Sequence, residues 1–478
     1  MDPAFDATEW LQDANEALSI SLVSPSPSGL KTVGNFHPKF TYTIFGDDEN
    51  VFGYKKLKMN LRFRANDMRP HLSTSYGEKL GLGHGPDEPT DIVAAFNEGS
   101  HLPKVAFVKH SDFESSSKQM SDSWTPPGTL HSSLDCPDGQ YEIWRGSLAD
   151  PAIKQLNSRV QIMVPLFIDG GSYIGQDAET GSYDSNPADA DRWTCFFLYQ
   201  TQKSTQNPDK KSYVFVGYST VYRWFYFAPP ATLVKDDWEL PEGNLDLSQL
   251  PCRTRLSQFI ILPPFQGKGH GHNLYRSIFD YYYGRPQTRE FTVESPNESF
   301  DDLRDVCDLE FLRTIPDFMA LKLDTSIAMP LSGPIPQLVA SATPLTDIRL
   351  KTKISRRQFS RVLEMHLMSQ LPDSVRPTLD LDGEVPKASK EDEHQLKLWH
   401  LLAKQRLYRH NKEALAQIDP SERIDKLSVL VSSIELDYAR LLVAFERATK
   451  HRVESNGKRK LSGEPEKPNK KAKRTSSA

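Results

Sequence analysis

The chain is 478 residues long, about three ordinary domains of ~150 residues, which excludes a single small binding module. With 38% hydrophobic, 10% aromatic and 25% charged residues it has the make-up of a soluble globular protein, and no window approaches the ~18 consecutive apolar residues needed to cross a bilayer. The net charge of −5 is unevenly spread: residues 451–478 hold nine Lys or Arg and three Glu, a net of +6, which leaves −11 on residues 1–450. An acidic body argues against DNA as its partner and suits either a cationic partner or a surface kept soluble by charge.

The amino terminus, MDPAFDATEWLQDANEAL, is acidic and lacks the basic and then apolar order of a secretory signal, so none is expected. Residues 36–64 are aromatic and β-favouring around an acidic GDDEN turn, which predicts strands joined by an exposed loop, with strand character continuing to about residue 145. DFESSSKQMSDSWTPPGT (112–129) reads as a polar surface loop. Apolar density rises from QIMVPLFI (161–168), where a second domain is expected to start. The acidic inserts 175–191 and 235–247 show no sustained apolar period and read as loops. RWTCFFLYQ (192–200) and SYVFVGYSTVYRWFYF (212–227) predict an antiparallel hairpin in the middle of a sheet. RLSQFIIL (255–262) predicts a further strand covered on both faces, and Pro263 and Pro264 remove two donors, so pairing must stop or splay there. A Pro/Ser/Ala-rich connector (328–344) precedes three helical segments. In the last, Ile424, Leu427, Val431, Ile434, Tyr438, Leu441, Leu442 and Phe445 recur at three- and four-residue spacing, the stripe of a bundle core or of a partner's docking face. Residues 453–478 have a disordered composition, with KRK (458–460) and KKAKR (470–474) as two basic clusters.

The chemistry is concentrated in residues 255–305. The predicted strand runs straight into Gln266, Gly267, Lys268, Gly269, His270, Gly271 and His272, and then into a helix marked by Leu274, Ile278, Tyr281 and Tyr282 and ended by Gly284. A glycine-rich turn between strand and helix gathers amide N–H groups at the positive end of a helix dipole, a site for phosphate, although a purely structural turn is the other reading. The spacing is not that of a P-loop, and the third glycine of a dinucleotide fingerprint would fall at His272. In REFTVE (289–294), Glu294 closes a strand beside this turn. A carboxylate desolvated there among aromatic neighbours would suit a general base; a solvated strand-end Glu is the alternative. Ser295, Pro296, Asn297 and Glu298 read as a capping box opening the next helix. The HxH spacing of His270 and His272 has no third ligand nearby, so no metal is expected. Cys136, Cys195, Cys252 and Cys307 lie far apart without a CxxC pair, the pattern of a reducing compartment.

SQFIILPPFQGKGHGHNLY followed by FTVESPNESFDDLRD resembles the type B histone acetyltransferase catalytic subunit, a family of the acetyl-CoA-dependent N-acetyltransferase superfamily. Gln266, Gly269 and Gly271 match that superfamily's [QR]-x-x-G-x-[GA] pyrophosphate loop. IFGDDENVFGYKKLK (44–58), RWTCFFLYQ and VGYSTVYRW (216–224) are similar to the family too, in its order. The resemblance spans about residues 36–320, more loosely 354–450, and hardly the last 28 residues. It implies acetyl-CoA as cosubstrate without a metal. Phe259, Ile260 and Ile261 would meet the pantetheine arm, and Gln266 through His272 would wrap the pyrophosphate, with Asn297 also on the cofactor side. Glu294 would be the base, and Asp169 an auxiliary base or simply part of a turn. Asp47, Asp48 and Glu49, with Trp193, Tyr222, Arg223 and Trp224, would line a groove for the histone H4 amino-terminal tail. The family usually has Asp directly after the catalytic Glu; here it is Ser295, which can cap a helix but adds no carboxylate.

The expected fold is α+β. It comprises an amino-terminal mixed domain (1–160), an acetyltransferase domain with a mixed, mostly antiparallel sheet (161–320), a linker (321–350), a helical region (351–452) and a disordered basic tail (453–478). The expected function is histone lysine acetylation, against the alternative of a non-catalytic histone-tail binding or escort protein on the same fold. The resemblance also implies a WD-repeat histone-binding partner and pools in nucleus and cytoplasm, with the two basic clusters as a bipartite import signal or merely a polycationic tail.

Overall fold

Two larger sheets, of four and of six strands, occupy the first part of the chain, the four-stranded one built on alternating apolar and polar residues. In the computed structural model the described residues are 7–26, 28–81, 88–119, 124–177, 179–203, 210–226, 247–330, 333–379 and 386–461. They belong to two compact units, Met1–Pro296 and Asn297–Ala478. Strand β1 (Leu18–Ser26) buries Leu18, Ile20 and Leu22 and leaves Ser19 and Ser21 half-buried on its other face. It pairs antiparallel with β2 (Gly29–Phe36) and parallel with β3 (Lys58–Arg64), which pairs antiparallel with β4 (Pro70–Ser75). Between β2 and β3 the expected strands are largely replaced by a helical turn, Tyr42–Phe45, and a short strand, Asn50–Phe52.

Helix α1 (His110–Lys118) corrects the reading of 112–129 as a loop. Phe113 is fully buried and anchors the segment, while the hydroxyls of Ser116 and Ser117 donate back to the Phe113 carbonyl. Serines that would compete with a helix are thereby satisfied inside it. Strand character also fails to continue unbroken to residue 145, because a helix at Ile92–Asn97 precedes α1. Helix α2 (Pro151–Val160) starts on proline, capped by the Asp150 carboxylate on the Ala152 amide at 2.8 Å. The apolar run 161–168 becomes α3 (Met163–Phe167), buried throughout.

The second sheet contains β5 (Thr129–Cys136), β6 (Gly139–Ser147), β7 (Trp193–Lys203), β8 (Lys211–Phe225), β9 (Cys252–Ile261) and β10 (Thr288–Val293). Their order is β10-β9-β8-β7-β6-β5, all antiparallel except β9 with β10, which are parallel and joined through α4 (His270–Tyr283). The predicted hairpin is therefore central, as β7 and β8. The sheet also recruits β5 and β6 from before residue 161; β5 is an edge strand with a largely solvated, polar sequence that carries little apolar signal. Insert 175–191 is irregular, closed by a bridge between Gln176 and Tyr183, and insert 235–247 lies almost wholly outside the described residues.

The second unit holds α5 (Glu298–Leu312), α6 (Arg356–Met368), α7 (Lys390–His410) and α8 (Pro420–Leu461). Its core includes Trp399, Val362, Leu398 and Tyr438 and two buried ion pairs, Arg361 with Asp305 and Arg406 with Glu364. Within the α8 stripe Val431, Tyr438, Leu441 and Leu442 are buried, whereas Ile424 is 62% exposed, so the stripe becomes core only after its first turns. Helix α8 runs to Leu461 and carries KRK on it, so the expected disordered tail begins as helix; KKAKR lies outside the described residues. Among the described residues no helix is long and apolar enough to cross a membrane.

Candidate active site

Strand β9 leads directly to the glycine turn. A short 3-10 turn at Pro263–Phe265 follows it, and the Gln266 side chain donates back to the Ile261 carbonyl at 2.7 Å. Gly267 and Gly269 then take left-handed φ values of 74° and 83°, and Gly269 is the N-cap of α4. At both glycines the space a Cβ would fill is open. The amides of Gly269, His270, Gly271 and His272 precede the first intrahelical bond, from Asn273 to the Gly269 carbonyl at 3.1 Å, and mark the open positive end of a 14-residue helix. Gln266 to Gly269 are exposed, so this end faces solvent.

His270 differs from expectation in how it serves the turn. Its ring is buried, lies 4.2 Å from the Tyr141 ring and places Nε2 3.2 Å from Asp138 Oδ2. The Tyr141 hydroxyl donates to the same oxygen at 2.9 Å, and Lys268 Nζ stands 3.9 Å away. Burial alone would raise the Asp138 carboxyl, but the Tyr141 hydroxyl and His270 hold it below the usual carboxylate range. The turn between β5 and β6 thus pins the first helical residue in place. Sequence reading missed Asp138 and Tyr141, which lie some 130 residues away and carry no local motif.

Glu294 stands just past the end of β10, beside the middle of β9. Pairing of β9 with β10 stops at Leu256 and Val293, with the Glu294 amide donating to the Leu256 carbonyl at 2.9 Å, while pairing with β8 continues to Ile261. The splay expected at the prolines therefore begins after Leu256, seven residues before Pro263, because the chain turns away at Ser295, whose φ is 35°, and at Pro296. The Glu294 carboxylate accepts from Ser257 Oγ at 2.5 Å and pairs with Arg255 Nη1 at 3.3 Å, its side chain 38% exposed. The expectation of a carboxylate desolvated among rings is corrected: Phe291 packs on Tyr275, Phe279 and Tyr282 of α4, and strand alternation turns Glu294 to the other side. The expected capping box also moves. Asn297, in the second unit, is the N-cap of α5, and its Oδ1 accepts from the Phe300 amide at 2.9 Å.

Trp193, Tyr222, Arg255 and Thr292 occupy directly opposed positions on β7, β8, β9 and β10, and opposed residues share a face. The Trp193 and Tyr222 rings are 4.8 Å apart and Tyr222 and Trp224 5.9 Å, with Trp224 57% exposed. The row brings Trp193 and Tyr222, two of the expected groove residues, into line with Arg255, and Trp224, two residues further on β8, shares their face opposite Arg253. Arg223 is turned away by alternation, its Nη2 donating to the Asp191 carbonyl at 2.6 Å.

Asp47 and Asp48 are exposed in the turn after Tyr42–Phe45, but Glu49 is not a free acid. Its carboxylate accepts from the Thr41 and Tyr42 amides and from Asn15 Nδ2, closing the turn from within. The Tyr42 hydroxyl donates to Asp169 Oδ1 at 2.9 Å and accepts from the Gly170 amide at 2.7 Å. Two residues further, the Ser172 carbonyl accepts from Gln258 Nε2 at 2.9 Å. A short relay of hydrogen bonds thus ties the acidic turn, through Asp169, to β9 beside Ser257. Arg255 and Ser257 were also missed by sequence reading; a polar residue at every second position of RLSQ was the available signal.

The family model described as Histone acetyl transferase HAT1 N-terminus matches residues 10–169. A histone acetyltransferase type B catalytic subunit of Gibberella zeae is 59% identical over 95% of this chain and 96% of its own length. One of Pyricularia oryzae is 47% identical over 95% of each. A solved aminoglycoside acetyltransferase from an uncultured soil metagenomic sample aligns with 41% of this chain and 96% of its own at 12% identity and a TM-score of 0.19, too slight a likeness to carry argument. Near-complete, mutual coverage at such identity settles the matter of kinship: the chain belongs to the family of histone acetyltransferase type B catalytic subunits.

Proposed function

We propose that the protein transfers the acetyl group of acetyl-CoA to lysine side chains in the amino-terminal tail of histone H4, with Glu294 as general base. The observation that carries this reading is that one strand, β9, has the Glu294 carboxylate where β10 parts from it and the glycine turn at its far end. A lysine ammonium, with a reference pKa of ~10.4, cannot attack until it loses a proton. Glu294 accepts that proton and later returns it to solvent, while the neutral amine forms the new N–C bond as the thioester C–S bond breaks and the nitrogen gives up a second proton, which protonates the departing thiolate. Acetyl-CoA supplies the activated acetyl group.

The residues present fit acetyl-CoA. Gly267 and Gly269 leave open space where side chains would stand, and the amides at the start of α4 suit a diphosphate. Lys268 adds an exposed cation, and Phe259, Ile260 and Ile261 lie beyond the last β10 pair, where their strand would run beside the pantetheine arm. Asp47 and Asp48 would attract the cationic tail, while Trp193, Tyr222 and Trp224 would pack the methylene stem of a lysine. Asp169 is assigned to the turn it closes with Tyr42 and Gly170 rather than to proton transfer. A WD-repeat histone-binding subunit docked on a helix, and import through KRK and KKAKR into the nucleus from a cytoplasmic pool, complete the proposal. Mass spectrometry of a histone H4 tail peptide incubated with the protein and acetyl-CoA tests it. Acetylated lysine is expected; an unmodified peptide in the presence of bound acetyl-CoA would overturn it in favour of an escort role.

A further inference from the structure

We propose that Arg255 and Ser257 are positioning residues of the acetyl transfer, which hold the two oxygens of Glu294 so that the carboxylate meets the substrate amine in one orientation; this rests on Glu294 being the base. Val221 lies opposite Leu256 and Thr220 opposite Gln258, so Ser257 is one residue too many on β9, a β-bulge. Such a bulge re-aims a side chain, because a one-residue change of register exchanges the two faces of a strand. Here it occurs where β10 stops pairing, and the serine it supplies donates to Glu294 Oε2 at 2.5 Å. Arg255, two residues earlier and opposite Tyr222, holds Oε1 through Nη1 at 3.3 Å. Among the described residues the buried Arg255 Nε finds no hydrogen-bond partner, and the ion pair with Glu294 anchors the guanidinium.

A carboxylate offers about four lone-pair directions. The Ser257 hydroxyl takes one of them on Oε2 and the Arg255 charge restrains Oε1, so the remaining directions are fixed in space before the substrate arrives. Arg255 has a second effect. A lysine ammonium brought to Glu294 meets a fixed guanidinium beside the same carboxylate, and like charges favour the neutral amine that attacks. Losing Arg255 should therefore slow turnover without weakening peptide binding, a separation that loss of a groove residue or of stability would not produce.

The test compares variants of the full chain by steady-state kinetics on an H4 tail peptide. Arg255→Gln is expected to lower kcat on the order of 10–100-fold with peptide KM unchanged or lower, the range of a misplaced reacting group. Arg255→Lys recovers most of it. Ser257→Ala lowers kcat about 10-fold and Ser257→Thr restores it. In a Glu294→Gln background Arg255→Gln costs nothing further, because the two act through one atom group. Wild-type kcat in both Arg255→Gln and Ser257→Ala, or a loss fully additive to that of Glu294→Gln, overturns the proposal. If Arg255→Gln does not fold, Ser257→Ala and Arg255→Lys decide by the same criteria. The two readings fail separately: wild-type turnover in Glu294→Gln removes the base, whereas a slow Glu294→Gln with fast Arg255→Gln and Ser257→Ala removes only the positioning.

Discussion

Two glutamates in this chain are held by the same chemical set, an arginine and a hydroxyl, with opposite consequences. Glu294 sits at the end of a sheet with Arg255 and Ser257, its side chain 38% exposed. Glu364 sits inside the helical unit with Arg406 and the Tyr438 hydroxyl, its side chain 2% exposed. Burial raises the Glu364 carboxyl above its usual range, against the pull of Arg406. No substrate can reach it, so its partners specify how α6, α7 and α8 pack. The partners of Glu294 leave it accessible. Ion pairing by itself therefore says little about role; burial and the direction of the unshared lone pairs decide it.

The comparison can be broken by stability measurements. Glu364→Ala leaves the Arg406 cation buried without its partner and should cost about 3–5 kcal/mol in urea unfolding, whereas Glu294→Ala should cost no more than about 1 kcal/mol. Equal costs would remove the distinction. The glycine turn sharpens it from the ligand side. Gly269→Asp keeps a residue type that tolerates the left-handed φ of 83° but sets a carboxylate where a diphosphate would lie. Several kcal/mol of like-charge repulsion should weaken acetyl-CoA binding on the order of 100-fold or more by calorimetry, with folding retained. Unchanged affinity would make the turn only structural.

The helical unit should also respond to acid. Burial, with Arg313 adding to it, lowers the folded His366 value from 6.5 to about 4. The unfolded chain then binds a proton that the folded one refuses, so stability falls as pH drops from about 6.5 towards 4, by on the order of 3 kcal/mol. His366→Gln should flatten that part of the Tm-against-pH curve; a variant with the wild-type slope would contradict it. The smallest effect is expected at the acidic turn. Because Glu49 is consumed in closing it, Asp47→Ala with Asp48→Ala should raise peptide KM only severalfold and reduce its salt dependence, as for exposed charges worth ~1 kcal/mol or less each. Adding Glu49→Ala should chiefly lower Tm.

Contiguous features were legible in the sequence. The β7–β8 hairpin, strand β9, its glycine turn and α4 each follow from periodicity and glycine placement within some thirty residues. What escaped depends on pairing between distant segments. Asp138 meets His270 only because β5 and β6 join the same sheet as β9, and the edge strand β5 has too polar a sequence to announce that. Ser257 meets Glu294 only because of an extra residue in the β8–β9 register, which no propensity reports. Helix α1 escaped because its polar composition hid its one buried apolar side chain, Phe113.

The central claim is that Glu294 takes the substrate proton. Steady-state turnover of Glu294→Gln on an H4 tail peptide, with acetyl-CoA affinity measured on the same sample by calorimetry, tests it most directly. A fall in kcat by a factor on the order of 10²–10⁴ with affinity for acetyl-CoA unchanged is the expected result, since a general base is worth about that much and the carboxylate lies away from the glycine turn. Wild-type turnover across the pH range would contradict the claim.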